Sequence, residues 1–431
     1  MLRQALRPLA LFGTMFVLHG AAPYGTEEVV PLAGPGLAIL VLSAMALLWA
    51  LPYVLVVSEL VSAMPEEGGL YRWYRAALGP FGSFLFTCAD AFTWMLDSAL
   101  YPPLIAAYLM TLFTPDPHRW VSWLIGLVVI WGCTWMNIRG IQVVGRFSLL
   151  ISVLVTAPMV AVTLMGLPRF NLSQLSTFAT PGQPFSVSLN HALLWAMWHY
   201  SGYSALASAG EEIVDTRRNY PKVLAVFLAL STILFILPLL ASLGATPEWR
   251  TWSTAHFNQV AAVLGGVFLA GCMALAAQLG ALGIFNAELL ITSRLTYAMA
   301  RDSLLPPRLS RLHPRHSTPH LLLIAQAILY SILTYFFSFV ELLRLSNILF
   351  MPPFLLLMAT PIILRLKQPG LSGRFRIPGG WPGLLLTIVP PSVIALYMLL
   401  TADRTQILFG LSVMALWPLL YLLSRRRSAA C

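Results

Sequence analysis

Apolar residues in this chain run in long unbroken stretches, and the polar residues that separate them are few and clustered. Stretches such as 120–136, 147–168, 222–243 and 405–423 carry scarcely a charge and show no alternation of period two. A helix needs about 20 apolar residues to cross the hydrocarbon core of a bilayer, whereas a membrane β-barrel is built from strands of about ten residues with alternating character. The pattern therefore predicts an all-α membrane protein. The runs number about twelve, at 8–31, 36–63, 82–112, 120–138, 145–167, 187–212, 220–243, 259–299, 319–339, 343–365, 383–402 and 405–424. The links between them are short, which predicts one integral-membrane domain over 1–431.

Composition excludes a water-soluble alternative. Hydrophobic residues make up 58% of the 431 and charged residues only 10%, with a mean hydropathy of +0.78, against about 25% charged in a soluble domain. The net charge of +10 is a matter of topology rather than of nucleic-acid binding. With both termini in the cytoplasm, 21 basic residues fall on that side, including Arg3, Arg7, Arg72, Arg75, Arg294, Arg301, Arg365 and Arg425 to Arg427, and only Arg119, Arg169, Arg250, Arg344 and Arg404 on the other. That positive-inside bias fixes the orientation and supports an even number of spans. Arg3 and Arg7 before an apolar stretch ending in Gly20-Ala21-Ala22 have the outline of a secretory signal, yet the motifs below make better use of the segment as a span. Cys88, Cys133, Cys272 and Cys431 lack metal-ligand spacing and read as packing residues. No HExxH or GxSxG pattern occurs, and neither an enzyme nor a metal or cofactor is expected.

Two spans are interrupted in comparable ways. The first contains Gly20-Ala21-Ala22-Pro23-Tyr24-Gly25-Thr26-Glu27, where two glycines and a proline unwind the helix. The sixth contains Trp198-His199-Tyr200-Ser201-Gly202-Tyr203, with a weaker break at Gly202. Breaks five spans apart fit two inverted five-helix repeats, 8–167 and 187–365, followed by two additional helices in 383–424, with a substrate held at the broken helices near the midplane. Freed N–H groups would face a carboxylate there, and freed carbonyls a cation.

Acids within spans are the second signal, because a charge in mid-membrane costs at least about 2.5 kcal/mol. Glu27 follows the first break and reads equally as a helix cap or a substrate contact. Asp97 lies near the middle of the third span with Tyr101 one turn later on its face. Asp90 and Glu59, nearer the cytoplasm, read as structural. Glu288 either pairs with Arg294, six residues on, or faces the substrate. His19 and His199 flank the breaks and titrate near neutral pH, which makes them candidates for proton coupling, although a histidine inside a helix is more often a packing residue. The two lysines, Lys222 and Lys367, lie at the ends of spans, so a buried lysine is not the proton switch.

Several segments resemble the amino acid–polyamine–organocation transporters. Ser58-Glu59-Leu60 through Met64-Pro65-Glu66-Glu67-Gly68-Gly69-Leu70-Tyr71 is similar to that family's second helix and first cytoplasmic loop. Ser201-Gly202-Tyr203 through Gly210-Glu211-Glu212 with Tyr220-Pro221-Lys222 resembles its sixth helix, and Ser293-Arg294-Leu295 through Arg301-Asp302 with Leu305-Pro306 the end of its eighth. Pro23-Tyr24-Gly25-Thr26-Glu27-Glu28, Leu96-Asp97-Ser98-Ala99-Leu100-Tyr101-Pro102 and Arg374-Phe375-Arg376-Ile377-Pro378 are most similar to its plant-type polyamine uptake members. The resemblance implies a proton-coupled importer of putrescine-like or spermidine-like cations in a cell membrane. Glu27, Asp97 and Glu288 would be its ammonium ligands, the family's substrate level favouring the substrate-facing reading of Glu288. Tyr24, Trp198, Tyr200 and Tyr203 would supply cation–π faces. One departure favours the alternative of an amino acid permease: Gly202-Tyr203 stands where the polyamine subgroup usually has an aromatic residue and an acid. In that case the substrate's carboxylate would meet the amides from Gly20 to Gly25. Sodium remains open as coupling ion.

Overall fold

The computed structural model describes residues 6–20, 24–111, 119–253, 255–337, 339–402 and 404–428, and among these every regular element is helical. In chain order they are α1 (Pro8–Gly20), α2 (Val29–Ala33), α3 (Pro35–Met45), α4 (Leu51–Ala63), α5 (Leu70–Ser98), α6 (Tyr101–Thr111), α7 (Arg119–Arg139) and α8 (Ile141–Gly166). There follow α9 (Phe185–His199), α10 (Thr216–Ala245), α11 (His256–Arg301), α12 (His320–Phe336), α13 (Phe339–Lys367), α14 (Gly380–Leu400) and α15 (Arg404–Ser428). Among the described residues, seven helical stretches are long and apolar enough to cross a membrane: Pro35–Ala63, Trp120–Arg139, Ile141–Arg169, Thr216–Ala245, His256–Arg301, Leu349–Lys367 and Gly380–Leu400.

Several sequence-predicted spans are divided, and the divisions have local causes. The third passes from α5 to α6 at Ala99 and Leu100, just before Pro102 and Pro103, which lack the N–H groups a continuous helix would use. Helix α5 also turns at Gly79, where φ is +78° and Pro80 follows. The 46 residues of α11 would reach about 69 Å as one straight helix, more than twice the roughly 30 Å hydrocarbon core. A non-helical pair, Gly265 and Gly266, redirects the chain instead.

The bundle is held by close contacts and wrapped in apolar side chains. A Cβ on Gly13 of α1 would lie 2.8 Å from the Leu149 Cα of α8, and one on Gly283 of α11 would lie 2.3 Å from Val17 Cγ1. Bare backbone at these two points lets α1 sit directly on its neighbours, the close approach by which helices associate in lipid. Val128, Leu150, Leu164, Val267 and Leu386 are more than half exposed on the outside, the surface that lipid covers. At one end of the bundle Arg72, Arg75, Arg294, Arg301 and Arg365 form ion pairs. The chain start closes onto this arginine-rich end: Leu6 N–H donates to Glu212 O (3.0 Å) and Val214 N–H to Leu6 O (3.0 Å).

Candidate substrate site

Both predicted interruptions occur. Helix α1 ends at Gly20, and the described chain resumes at Tyr24 and at Gly25, whose φ of +99° sends it into a short 3₁₀ turn, Thr26–Glu28, ahead of α2. Residues 21–23 and the side chain of His19 lie outside the described residues. Glu27 is buried, and its Oε2 accepts a 2.7 Å hydrogen bond from Gly25 N–H. Its carboxylate also meets the backbone amides of Glu27 itself and of Phe257 in the first turn of α11. Glu27 thus ties the break to the start of α11, which is the capping geometry. Tyr24 donates to Val155 O (3.0 Å) and sets its ring edge-on to Phe257.

The second interruption spans Tyr200 to Ser204, with Gly202 at φ +89°, and tightens into 3₁₀ turns over Ala205–Glu212. Its freed carbonyls already have donors in this conformation: Trp49 Nε1 reaches Tyr200 O (3.2 Å) and Tyr220 OH reaches Tyr203 O (2.8 Å). The aromatic group expected here divides in two. Trp198, with Trp195, packs towards the first break, where a Cβ on Gly25 would lie 3.7 Å from Trp195 and 3.9 Å from Trp198. Tyr200 and Tyr203 are buried on the far side, against Phe235 and against Tyr53 and Phe227. His199 is packed between Trp198 and Phe235, with Nδ1 2.7 Å from Trp195 O.

Asp97 and Glu288 come together although 190 positions separate the neighbouring Ser98 from Glu288. Asp97 lies on the last turn of α5 and Glu288 in the long lower part of α11, and their carboxyls are within hydrogen-bonding reach of each other. Ser98 Oγ donates to Glu288 Oε2 (2.7 Å) and Tyr101 OH to Asp97 Oδ2 (3.3 Å). One turn further, Thr292 Oγ1 donates to Gln326 Oε1 (3.3 Å) and lies 3.5 Å from Tyr330 OH. Ser98, Thr292, Gln326 and Tyr330 give no local signal in the sequence, since what recruits them is the packing of α5 and α12 on α11. Val17 of α1 and Tyr24 pack into the same apolar cluster as Leu96, Leu100, Tyr101, Phe285 and Leu289, which flank Asp97 and Glu288 in the chain. None of the ion pairs among the described residues involves Glu27, Asp97 or Glu288.

The remaining acids are placed elsewhere. Arg294 pairs with Glu212 (2.7 Å) rather than with Glu288. Glu59 accepts from Arg365 Nη2 (2.7 Å), Arg365 Nε (3.0 Å) and Ile377 N–H (2.7 Å), which anchors the Arg374 to Pro378 segment. Asp90 is buried beside Tyr53 and Tyr74.

The sequence pattern of the amino acid permease family matches residues 9–418. A probable polyamine transporter of Arabidopsis thaliana is 29% identical over 430 residues, covering 98% of this chain and 88% of that protein. A polyamine transporter of Oryza sativa subsp. japonica is 28% identical over 95% of this chain and 76% of its own length. A branched-chain amino acid permease of Bacillus subtilis (strain 168) is 26% identical over 86% and 81%. The relatives are transporters and not enzymes, and the apolar helices fit a protein embedded in a membrane. The chain belongs to the amino acid permease family of the amino acid–polyamine–organocation superfamily, and it is an integral-membrane transporter.

Proposed function

We propose that the chain imports polyamines or related organic cations together with protons, by alternating access around the two broken helices. In this reading about twelve spans form two inverted five-helix repeats and a C-terminal pair, both termini are cytoplasmic, and the protein resides in a cell membrane. The names of the plant relatives support a polyamine cargo, and that of the Bacillus relative keeps an amino acid in view.

The observation that carries the choice is the disposition of the three acids. An amino acid needs free amides for its carboxylate, but at the described part of the first break the Gly25 amide is already taken by Glu27. A cation needs acids that no resident cation has claimed, and among the described residues no ion pair engages Asp97 or Glu288. Two carboxyls at hydrogen-bonding distance are joined only when one proton lies between them. The protonated pair then keeps one negative charge, enough to receive one ammonium group while the proton is held. Tyr101 and Tyr330 bring their hydroxyls to the pair, Tyr101 directly onto Asp97 and Tyr330 beside Ser98 and Thr292. Tyr200 and Tyr203 then act as struts of the sixth span, and Glu27 as the cap that holds the first break open.

The test is uptake of labelled putrescine, spermidine and a panel of amino acids into proteoliposomes, with and without an inward proton gradient. Gradient-driven polyamine uptake is expected, and both Asp97→Asn and Glu288→Gln should lose accumulation against a gradient while keeping exchange. Full gradient-driven uptake in both variants would remove the acid pair from coupling. Uptake of an amino acid that excess putrescine leaves untouched would move the function to an amino acid permease.

A further inference from the structure

The loop joining α4 to α5 closes the arginine-rich end of the bundle. Gly68 N–H donates to Ser208 O (2.8 Å), a Cβ on Gly68 would lie 2.3 Å from Ala298 Cβ, and one on Gly69 would lie 2.6 Å from the Ala207 carbonyl carbon. The loop therefore lies flat on the 3₁₀ segment Ala205–Glu212 and on the last turns of α11. This seating drives the side chain of Glu67 inward. It is 0% exposed, and among the described residues no side chain donates a hydrogen bond to either carboxyl oxygen, the backbone N–H of Glu211 being the donor that lies near it.

The charges around Glu67 come from every element packed there. The 3₁₀ segment contributes Glu212 and Glu211, and α11 contributes Arg294, Tyr297 and, further out, Arg301. The loop itself adds Glu66, and α5 adds Arg72, which donates to Glu67 O (3.4 Å) and, with Arg75, is held by Asp302. Arg294 is 0% exposed and commits its charge to Glu212 through Nε (2.7 Å) and Nη2 (3.5 Å), with Nη1 on Ser293 Oγ (3.1 Å). Its single positive charge is matched by Glu212, and a second buried carboxylate would be uncompensated. Burial first, and the charge of Glu212 second, hold the Glu67 carboxyl well above its usual range against the pull of Arg294. No metal-binding group of three or more His, Cys, Asp or Glu occurs among the described residues.

We propose that Glu67 is a proton-binding site of this latch: the neutral acid keeps the arginine-rich end shut, and the proton leaves when the latch opens and the carboxyl is hydrated. The sign follows from linkage. An open latch returns the carboxyl to an ordinary value of about 4.3, and between that value and the raised one, closing takes up a proton. Over that window the closed population gains up to about tenfold for each unit by which pH falls, and above the raised value the dependence disappears. The proton is taken from and returned to the same aqueous phase, so it sets how readily this end opens without changing the number of protons carried per cycle. The assignment rests on the latch and is independent of what the transporter carries.

The experiment uses the full-length protein in nanodiscs, without its four native cysteines and with Ser208→Cys beneath the loop as reporter. The rate of maleimide labelling is measured against pH and normalised to that of Arg308→Cys on the exposed loop, which removes the pH dependence of the thiol itself. With Glu67 present, the normalised rate should fall as pH falls, approaching tenfold per unit. Glu67→Gln should be slow and independent of pH. In Glu212→Gln, Arg294 is released to Glu67, and the midpoint should move to lower pH. A flat profile with Glu67 present, a full pH dependence in Glu67→Gln, or an unmoved midpoint in Glu212→Gln each overturns the proposal. The last variant decides the matter should Glu67→Gln fail to fold.

Discussion

At the centre of the bundle Asp97 and Glu288 face each other and, among the described residues, neither forms an ion pair, whereas at the arginine-rich end Glu212, Glu59 and Asp302 each touch a guanidinium. Both regions bury carboxyls among packed helices. The difference lies in who supplies the positive charge. A resident arginine satisfies an acid permanently and turns it into a joint between helices: Glu212 joins the sixth span to α11, and Glu59 joins α4 to α13. An acid without one keeps a charge available to a visiting ion, which is why acids inside membrane spans mark transport paths.

The contrast breaks most completely if the centre is given a cation of its own. Glu288→Lys sets a tethered ammonium beside Asp97, and like-charge juxtaposition costs several kcal/mol, so putrescine uptake into proteoliposomes should fall by on the order of 10³-fold. Retained uptake would place the substrate elsewhere. The reverse change at the arginine-rich end, Arg294→Met, strands Glu212 in the interior, and thermal unfolding in detergent should report a loss of about 3–5 kcal/mol. A loss under about 1 kcal/mol would mean that this pair is no joint. Glu59→Gln keeps the shape but weakens hydrogen bonds from Arg365 and Ile377, with an expected loss of about 1.5–3 kcal/mol on the same assay. Arg301→Ala removes a half-exposed partner of Glu211 at 3.4 Å that also sits over the Tyr297 ring, and its effect should stay within about 1 kcal/mol.

The glycines divide along the same line. Those at the breaks, Gly25 and Gly202, adopt positive φ and were legible as helix breakers from their neighbours in sequence. Gly68 and Gly69 also adopt positive φ and were legible as a motif, yet the close approach they allow is visible only against Ala298 and Ala207, residues far along the chain that a Cβ would strike.

Local pattern also carried the acids part of the way. Asp97 and Glu288 stand out in sequence because a charge inside an apolar run is costly wherever the run ends up, and that cost does not depend on the partner. The identity of the partner does. From spacing alone Arg294 was as available to Glu288 as any residue, and only the packing of Ala205–Glu212 against α11 brings Glu212 to it instead. The aromatic residues taught the same lesson. Trp198, Tyr200 and Tyr203 are neighbours in sequence, but the unwinding at Gly202 sends Tyr200 and Tyr203 towards α10, and Trp198 towards the first break.

By itself the sequence determined that this is a helical membrane protein with two interrupted spans and a handful of intramembrane acids, because hydrophobic run length, helix-breaking residues and the cost of a buried charge are all properties of short segments. Only the tertiary structure decided that Asp97 meets Glu288, that Glu27 caps the first break, and that Glu67 is enclosed beside an arginine already committed to Glu212. Those outcomes depend on which helices lie against one another, and contact between residues 82 to 230 positions apart is fixed by packing and not by any local pattern.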